Sequence, residues 1–243
     1  MQILLSGFGD AMTKLPVFIE AFLKVSLVAS LFAMVISLVV GVITGLMGTA
    51  KNILLRGITR VFVELFQNTP ILILLFFLYA FSPYILGQVI DPMFIGTIVL
   101  GIYHGAYMCE VIRSGIESIP KGQLEAAKSQ GFNYFETMRY IILPQALRIV
   151  VPPLTTQIVG IIKNSSILQC IAVSDLMYQA EVWTSYSGHS GPAYIIAAVI
   201  YFIACYPLTC LSRYLENKAK AGYASKKGKK QKALITAEVK GEA

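Results

Sequence analysis

Long uncharged segments constrain the fold of this chain more than any other feature of its sequence. Residues 25–48, 67–90 and 193–212 contain no charged side chain. Each segment is long enough to cross a bilayer core of about 30 Å as a helix. Hydrophobic residues make up 56% of the 243 positions and charged residues only 14%, a balance with which a soluble domain could not bury its apolar surface. The sequence therefore predicts an all-α membrane protein.

Two weaker apolar segments, residues 92–109 and 145–162, bring the prediction to five transmembrane helices. The first residues show neither a basic n-region nor a small-residue cleavage site, so the first apolar segment is expected to be retained. All but three of the 20 Lys and Arg residues fall on one side of these spans, the exceptions being Lys14, Lys24 and Lys163. The positive-inside rule then places the N-terminus outside and the C-terminus in the cytoplasm.

This topology divides the chain into two regions. Residues 1–215 form the transmembrane domain, and residues 216–243 form a basic cytoplasmic tail that is expected to be poorly ordered and to lean on anionic lipid. Binding of RNA by the tail is a weaker alternative, because its lysine cluster has no interleaved aromatic residues.

The longest polar interruption between apolar segments lies in the cytoplasmic loop 118–144 and carries the local signals of two short helices. Pro120 suits the first turn of one helix, and Gly131 can adopt the left-handed conformation that ends it. Asn133 and Glu136 have the spacing of a capping box for the second helix. Pro144 is expected to stop or kink that helix. The hairpin carries apolar residues among its charges, namely Leu124, Ala127, Phe132, Phe135 and Met138.

Fixed positions of this hairpin resemble the EAA loop of the permeases of ABC importers. The matching residues are Glu125, Ala126, Ala127, Gly131, Ile141, Leu143 and Pro144. With its length, its apolar segments and the polar residues 67–70, the whole chain is similar to polar amino-acid permeases of the histidine, glutamine, glutamate and arginine type. The resemblance implies a type I importer permease whose loop is a coupling-helix hairpin, with Glu125 at the surface that docks on a cytoplasmic ABC ATPase. From the residues alone, the hairpin could instead be an amphipathic connector that packs on its own protein.

The same resemblance implies the partners and the location. They are a dimer of ATPase subunits that binds ATP and Mg²⁺, a second permease copy or paralogue, an extracytoplasmic solute-binding protein and a small polar amino acid, all at a bacterial inner membrane. No cofactor is expected on this chain, and no nucleic acid. Residues 45–51 come nearest to a phosphate-binding loop but lack its second glycine and its Ser or Thr, so no nucleotide-binding motif is expected on this chain. A membrane-anchored enzyme is disfavoured because the sequence offers no sizeable soluble domain to hold an active site.

Polar clusters interrupt the predicted spans, and the resemblance places the first and the last of them near the solute pathway. They consist of Asn68, Thr69 and Pro70, then Tyr103 and His104 with Tyr107, then Lys163, Asn164, Ser165 and Ser166. The first cluster predicts a broken helix or, alternatively, a simple helix start capped by Asn68 or Thr69. His104 could line a polar cavity or bond to a neighbouring helix. A lysine at membrane depth is energetically costly, so Lys163 is expected there only if it forms an ion pair or has a functional role. Alternatively, its side chain extends to the membrane interface.

An ion-gradient-driven transporter or channel is the alternative function, with Glu64, His104 and Glu110 as proton sites, although no internal repeat supports it. The neutral Asn164 argues weakly against a cationic substrate.

Smaller features add four further expectations. A small-residue face (Gly41, Gly45 and Gly48) predicts close helix packing. The four cysteines, Cys109, Cys170, Cys205 and Cys210, are expected to be buried and free of disulfides. Residues 174–186 predict a surface helix capped by Ser174. Residues 1–14 predict a short amphipathic or irregular lead-in.

Overall fold

The computed structural model of the protein describes residues 7–239, with the backbone alone at positions 86, 190 and 220–239. This part of the chain is helical almost throughout and contains no strand. Its helices are α1 (Phe8–Thr13), α2 (Leu15–Thr49), α3 (Ile53–Gln67), α4 (Ile71–Leu86), α5 (Pro92–Glu117), α6 (Lys121–Ser129), α7 (Tyr134–Ile171), α8 (Leu176–Ser187) and α9 (Ser190–Val239). Three segments depart from α geometry: the π turns Phe22–Ser26 and Thr137–Ile142, and the 3₁₀ turn Ser165–Ile171.

Four segments of the described chain are long and apolar enough to cross a membrane: Leu15–Thr49, Pro92–Glu117, Tyr134–Ile171 and Gly191–Ala219. A fifth crossing arises if α3 and α4 together form one span, since these helices are bent by 102° at the break between them. The all-α membrane fold predicted from the sequence is thus confirmed. The break at residues 68–70 is also confirmed, and it separates α3 and α4 into a bent pair rather than one straight helix.

The start of α4 differs from the alternative prediction, in which Asn68 or Thr69 caps a simple helix start. Pro70 stands at the N-cap of α4, and no side chain caps that helix. Asn68 instead donates its side-chain amide to the backbone oxygen of Glu64, 2.8 Å away at the end of α3. The alternative that Asn68 or Thr69 caps a simple helix start is therefore wrong.

Helices α2 and α5 form the central pair of the fold, and small residues let them approach closely. A Cβ atom added to Gly41 would lie 2.6 Å from the Cβ of Met108, and one added to Gly101 would lie 2.6 Å from the Cβ of Ile36. Because lipid tails are as apolar as the side chains, such close van der Waals contact is what holds membrane helices together. The packing predicted from the small-residue face of α2 is confirmed.

Around this pair the largest core brings together α2, α4, α5 and α7. Its fully buried side chains include Leu75 of α4, Leu100 and Met108 of α5, and Ile161 and Leu168 of α7. A second core joins the N-terminal helices to α8 and α9 through residues such as Phe18, Leu176 and Ala197. The central position of α5 is what places its polar residues inside the protein.

Pro144 does not stop the second helix of the hairpin, which runs on into α7. Of the predicted stop or kink, the stop is wrong, and the helix instead departs from α geometry just before the proline. The π turn Thr137–Ile142 ends immediately before the proline, with the Leu143 N–H donating to the oxygen of Met138. A proline ring collides with the carbonyl of the residue four positions earlier in a regular α-helix. The wider π turn shifts the preceding carbonyls and lets the helix continue.

Asp175, not Ser174, caps α8, which corrects the predicted cap of this helix. One carboxylate oxygen accepts from the Tyr178 N–H at 2.8 Å, and the side chain is fully buried. Within the described chain the other oxygen, Oδ2, has no hydrogen-bond partner. Leu176 donates its backbone N–H to the Ser26 Oγ at 3.3 Å, so α8 is held against α2 rather than lying loose on a surface.

Burial raises the pKa of Asp175 to about 7. The hydrogen bonds that its carboxylate accepts from backbone N–H groups act in the opposite direction and lower the pKa. Between an ordinary Asp pKa of about 4 and the raised pKa, the folded protein holds a proton that the unfolded chain has lost. Stability is therefore expected to fall as the pH rises from about 4 to about 7 and to level off above that range.

Asp175→Asn is expected to remove this pH dependence, because Asn is an equally good helix cap and carries no charge. The measurement is the thermal unfolding midpoint of the detergent-solubilised protein at pH 5.5 and at pH 8. The midpoint of the variant is expected to exceed that of the natural protein only at pH 8. Asp91→Asn is the matched control, since Asp91 caps α5 in the same way but is exposed. Equal pH profiles for the natural protein and Asp175→Asn would contradict the assignment.

The remaining predictions, for the cysteines and for the two ends of the chain, have different outcomes. All four cysteines are free; Cys109 and Cys205 are buried as predicted, whereas Cys170 and Cys210 are exposed, so their predicted burial is wrong. Helix α1 forms most of the described part of the lead-in, since residues 1–6 lie outside the described chain. Helix α9 continues as backbone helix to Val239. The division of the chain at residue 215 and the poor order of the tail stay predictions.

Candidate functional site

The hairpin between α5 and α7 is locked by its own backbone. Helix α6 ends at Ser129, and Gly131 follows in the left-handed conformation with φ of +83°. The Gly131 N–H donates to the oxygen of Lys128 at 3.0 Å, and the Phe132 N–H donates to the oxygen of Ala127 at 3.1 Å. This pair of bonds is the Schellman motif. The bend predicted at Gly131 is present, with Pro120 at the N-cap, one residue before α6.

Asn133 starts the second half of the hairpin with a complete capping box. The Asn133 Oδ1 accepts from the Glu136 N–H at 2.9 Å, and the Glu136 carboxylate accepts from the Asn133 N–H at 2.8 Å. The prediction of a capping box at this spacing is confirmed. The C-cap of α6, Gln130, and the N-cap of α7, Asn133, are three residues apart. The Schellman motif and the capping box at these positions hold α6 and the start of α7 in one defined arrangement.

One face of the hairpin packs against its own chain, and another face is exposed. Ala127 is buried at 1% exposure, where α6 packs against the π turn of α7. On the outside, Phe135 is 84% exposed, and Tyr134 and Tyr140 are more than half exposed. Exposed aromatic residues clustered on one short element are typical of an interaction surface.

The EAA residues divide between these two faces. Glu125, Ala126, Gly131 and Pro144 are exposed, whereas Ile141 and Leu143 are half-buried beside the packed face. The exposed carboxylate of Glu125 is thus available to a partner. Packing on the same chain accounts for Ala127 and leaves the aromatic side chains uncovered.

A buried histidine links α5 to α7 at the centre of the fold. His104 is 4% exposed, and its Nδ1 lies 3.1 Å from the Oε1 of Gln157. Its Nε2 lies 3.1 Å from the Nδ2 of Asn164. One neutral tautomer satisfies both bonds: the Nδ1–H donates to the Gln157 carbonyl oxygen, and Nε2 accepts from the Asn164 amide. Asn164 then keeps its own carbonyl oxygen for another partner.

The imidazole of His104 lies against the backbone of α7. A Cβ on Gly160 would be 3.1 Å from the Cε1 of the ring, so only glycine gives the ring this room without a shift. Tyr103 is packed edge-on to His104, with ring centroids 5.4 Å apart. The hydroxyl groups of Tyr103 and Tyr107 are 3.2 Å apart and share a hydrogen bond. This set of side chains forms the polar cluster of the fold: Tyr103, His104, Tyr107, Gln157 and Asn164.

The break between α3 and α4 is tied to the same stretch of α5. Gln67 is the last residue of α3, and its Nε2 donates to the oxygen of Ala106 at 3.2 Å. The bent pair therefore approaches α5 between His104 and Tyr107. Asn68 and Pro70 are exposed beside this contact, and Thr69 is half-buried.

Of the last predicted cluster, only Asn164 joins the polar cluster. Lys163 is exposed, on a different side of α7 from Asn164. Ser165 is buried and donates to the backbone oxygen of Ile162 at 2.8 Å, and Ser166 donates to that of Lys163 at 2.8 Å. These two bonds accompany the change from α to 3₁₀ geometry at the end of the span.

Sequence reasoning missed Gln157 and Gly160, and it includes Gln67 only as part of the polar stretch 67–70. Gln157 and Asn164 are seven residues apart, and Gly160 lies between them, which puts all three on one helical face. This spacing was a usable signal. Gln67 carried no such signal, because its partner is a backbone oxygen on another helix.

The proposed proton sites are not arranged as a relay. Glu64 pairs with Arg60 at 2.8 Å, and both side chains are more than half exposed. Glu110 pairs with Arg113 at 2.6 Å, and Arg113 also binds Glu117 at 2.8 Å. His104 bonds to neither of these acids, so its partners favour the reading of a histidine bonded to a neighbouring helix.

Comparison with known families decides which proteins these features belong to. Residues 37–221 match the family described as the inner membrane component of binding-protein-dependent transport systems. The chain belongs to this family. It is therefore a multi-pass inner-membrane transport component, and its resemblance to ABC-importer permeases is confirmed. A permease subunit of an ATP-driven importer is the function that these findings give.

Individual relatives of this permease agree. The probable glutamine ABC transporter permease protein GlnM of Bacillus subtilis (strain 168) is 41% identical over 70% of this chain and 78% of the relative. A second B. subtilis relative, the probable glutamine ABC transporter permease protein GlnP, is 36% identical over 69% of this chain and 78% of its own. The inner membrane amino-acid ABC transporter permease protein YhdY of Escherichia coli (strain K12) is 33% identical over 70% of this chain and 47% of its own.

Solved structures place the permease in the same fold. The crystal structure of an amino acid ABC transporter with histidines superposes with a TM-score of 0.79 and 29% identity, over 87% of this chain and 98% of the other. The permease also matches an inward-facing structure of the MetNI methionine ABC transporter, with a TM-score of 0.66 and 22% identity over 86% and 97% of the two chains. The second likeness concerns the fold alone.

His104→Leu in this permease is expected to destabilise it, because Gln157 and Asn164 lose their common partner. Leaving a buried polar group unsatisfied costs about 1–3 kcal/mol. The measurement is thermal unfolding of the detergent-solubilised permease, with Tyr103→Phe as the control that removes only the bond between two hydroxyl groups. Adding Gln157→Leu to His104→Leu is expected to cost less than the sum of the single changes. An unchanged unfolding midpoint for His104→Leu would show that the polar cluster does not hold α5 to α7.

Proposed function

We propose that this permease carries a polar amino acid inward across the membrane, driven by ATP that a separate cytoplasmic ATPase pair binds with Mg²⁺ and hydrolyses. The permease itself is proposed to bind no nucleotide and no cofactor. An extracytoplasmic solute-binding protein is proposed to deliver the amino acid. The observation that carries the coupling part is the hairpin, whose turn is fixed by two capping motifs and whose outer face is aromatic and open.

Coupling is proposed to run through this hairpin. Its Schellman motif and capping box make it a rigid element, so a push on α6 is passed to the start of α7 rather than absorbed by a loose loop. Helix α7 carries Gln157 and Asn164, which bond to His104 of α5. Motion of the ATPase pair is thereby connected to the polar cluster by one continuous helix.

The orientation proposed for the permease follows from its charges. With the N-terminus outside, the hairpin, the connection after α2 and the tail lie in the cytoplasm with nearly all Lys and Arg residues. A second permease copy or paralogue is proposed because four or five spans cannot enclose a solute path alone. The polar cluster would face that path from one half of the transporter.

The cargo is proposed to be a polar amino acid without a charged side chain, with glutamine as the first candidate. Two of the similar permeases are named for glutamine. The polar cluster is built from neutral groups, and Asn164 keeps a carbonyl oxygen that can accept from an ammonium or amide group. A buried carboxylate, which would suit a cationic side chain, is absent from this cluster of described residues.

Crosslinking tests the docking of the hairpin. Phe135→Cys, in a background where Cys170 and Cys210 are replaced by Ser, is expected to crosslink to the co-expressed ATPase subunit. Tyr186→Cys is the matched control, since Tyr186 is 89% exposed on α8 but belongs to the proposed outer side. The coupling proposal would be contradicted if the Phe135→Cys variant crosslinked only within its own chain or to lipid.

Transport assays test the energy source and the cargo. Uptake in vesicles is expected to stop on ATP depletion while the membrane potential is held, whereas an ion-gradient-driven transporter would continue. Binding of labelled amino acids to the partner solute-binding protein then identifies the cargo, and preference for Lys or Arg over glutamine would contradict the proposed class.

A further inference from the structure

An apolar groove of about 610 Å³ lies beside the hairpin, away from the polar cluster. Its walls come from three places: the residues that lead into α6, the first half of α7, and α9 near residues 215–219. Apolar side chains such as Ile119, Leu147, Val151 and Leu215 dominate the lining. Leu147 and Val151 are 57% and 41% exposed, so the groove is open at the protein surface. Its volume falls within the roughly 300–1,000 Å³ of sites that bind small molecules.

Two cations accompany this apolar lining, Arg148 of α7 and Lys218 of α9. Both side chains are exposed, and neither forms an ion pair within the described chain. No acidic residue occurs among the described residues that line the groove. In the described lining, the groove thus combines positive charge with an apolar wall and carries no negative charge.

The position of the groove relates these charges to the bilayer. Arg148 and Val151 belong to the span Tyr134–Ile171, and Leu215 and Lys218 belong to the last turns of the span Gly191–Ala219. Ile119 immediately precedes the hairpin. The groove therefore lies between the hairpin half of one candidate span and the last turns of another.

We propose that this groove binds an anionic glycerophospholipid, with the headgroup phosphate between Arg148 and Lys218 and an acyl chain along the apolar wall. Basic pockets between membrane helices on the cytoplasmic side are the recognised environment of such headgroups. A zwitterionic lipid would fill the same trough but would gain less from two cations without acidic partners. The orientation proposed above serves only to assign the site to the inner leaflet.

The bound lipid would connect two moving parts. Its headgroup would bridge the start of α7, which continues the hairpin, to the end of α9. Lipid occupancy would then stabilise one arrangement of these helices. Regulation of transport by anionic lipid is the functional consequence of the site.

Native mass spectrometry of the purified permease–ATPase complex tests the proposal with phosphatidylglycerol and phosphatidylcholine as probes. Phosphatidylglycerol is expected to be retained and phosphatidylcholine to be lost under the same detergent washing. Arg148→Gln with Lys218→Gln is expected to lower phosphatidylglycerol retention about tenfold or more, since each cation near an anionic surface contributes appreciably. Val151→Trp keeps both charges and fills the groove, and it is also expected to expel the lipid.

The matched control is Lys51→Gln with Arg56→Gln, which removes one Lys and one Arg on the same side but outside the groove. Equal loss of phosphatidylglycerol in this control would reduce the site to general surface charge and overturn the proposal. Equal retention of both lipids would do the same. The proposal also fails if Leu147→Cys forms a disulfide with a second permease copy or crosslinks to the ATPase, because a protein would then occupy the groove. None of these outcomes depends on uptake, so the lipid site can fail while the proposed function stands.

Discussion

Gly131→Val is expected to abolish uptake while the permease stays folded in the membrane. Gly131 has a φ of +83°, and nothing lies within 4 Å of the position of a Cβ, so the strain comes from the backbone and not from a clash. A residue other than glycine in such a region costs about 1–3 kcal/mol, and β-branched residues tolerate it least. The strain falls on the Schellman motif at Lys128 and Ala127, which sets the direction of α6. Uptake in vesicles and co-purification of the ATPase measure the effect.

Gly131→Asn is the matched control for this change. Asn tolerates the left-handed conformation far better than valine, so most of the uptake is expected to remain. The pair separates the backbone conformation from the mere addition of a side chain on the hairpin surface. Full uptake by Gly131→Val, with the ATPase still bound, would show that the bend in the hairpin does not transmit the motion.

Gly41→Leu is expected to prevent stable assembly of the transmembrane helices. A Cβ at this position would lie 2.6 Å from the Cβ of Met108 and 3.3 Å from the backbone of Cys109. Such overlap cannot be relieved by turning a flexible side chain, so α2 and α5 must separate. Overpacking of a well-filled core costs about 1–3 kcal/mol and sometimes more. The expected result is a large fall in monodisperse permease recovered from membranes.

Gly57→Leu provides the control for hydrophobic bulk. Gly57 lies on α3, and no atom comes within 4 Å of its added Cβ. This variant is expected to be recovered at close to the natural yield. Should Gly41→Leu be recovered equally well, the tight approach of α2 and α5 would not be what holds the fold.

Local signals of the hairpin could be read from the sequence because they involve residues close together in the chain. The capping box of Asn133 and Glu136 needs only a spacing of three, and the bend at Gly131 needs only a residue that accepts positive φ. Both predictions are confirmed. At Pro144 local reasoning predicts a stop or a kink, and it does not anticipate the π turn that carries the helix past the proline.

The polar cluster shows where such reasoning ran out. His104 stands out in the sequence as a polar residue in an apolar segment, but its partners lie more than fifty residues away on α7. In the sequence Lys163 is more prominent than Asn164, because a charge within a span is costly. In the fold, however, it is the amide of Asn164 that faces inward and bonds to His104. Which side of a helix faces the interior was decided by packing against α5, and no local pattern in α7 fixed that choice.

From the sequence alone, segment length and charge bias predict a helical membrane protein, and the EAA spacing carries the resemblance to importer permeases, because all three are properties of neighbouring residues. Only the tertiary structure decided how closely α2 and α5 approach, that α3 and α4 meet at 102°, and that His104 bonds to Gln157 and Asn164. Each of these rests on contacts between residues distant in the chain. Their geometry is set by how whole helices fill space against each other, and that information is not carried by any one segment.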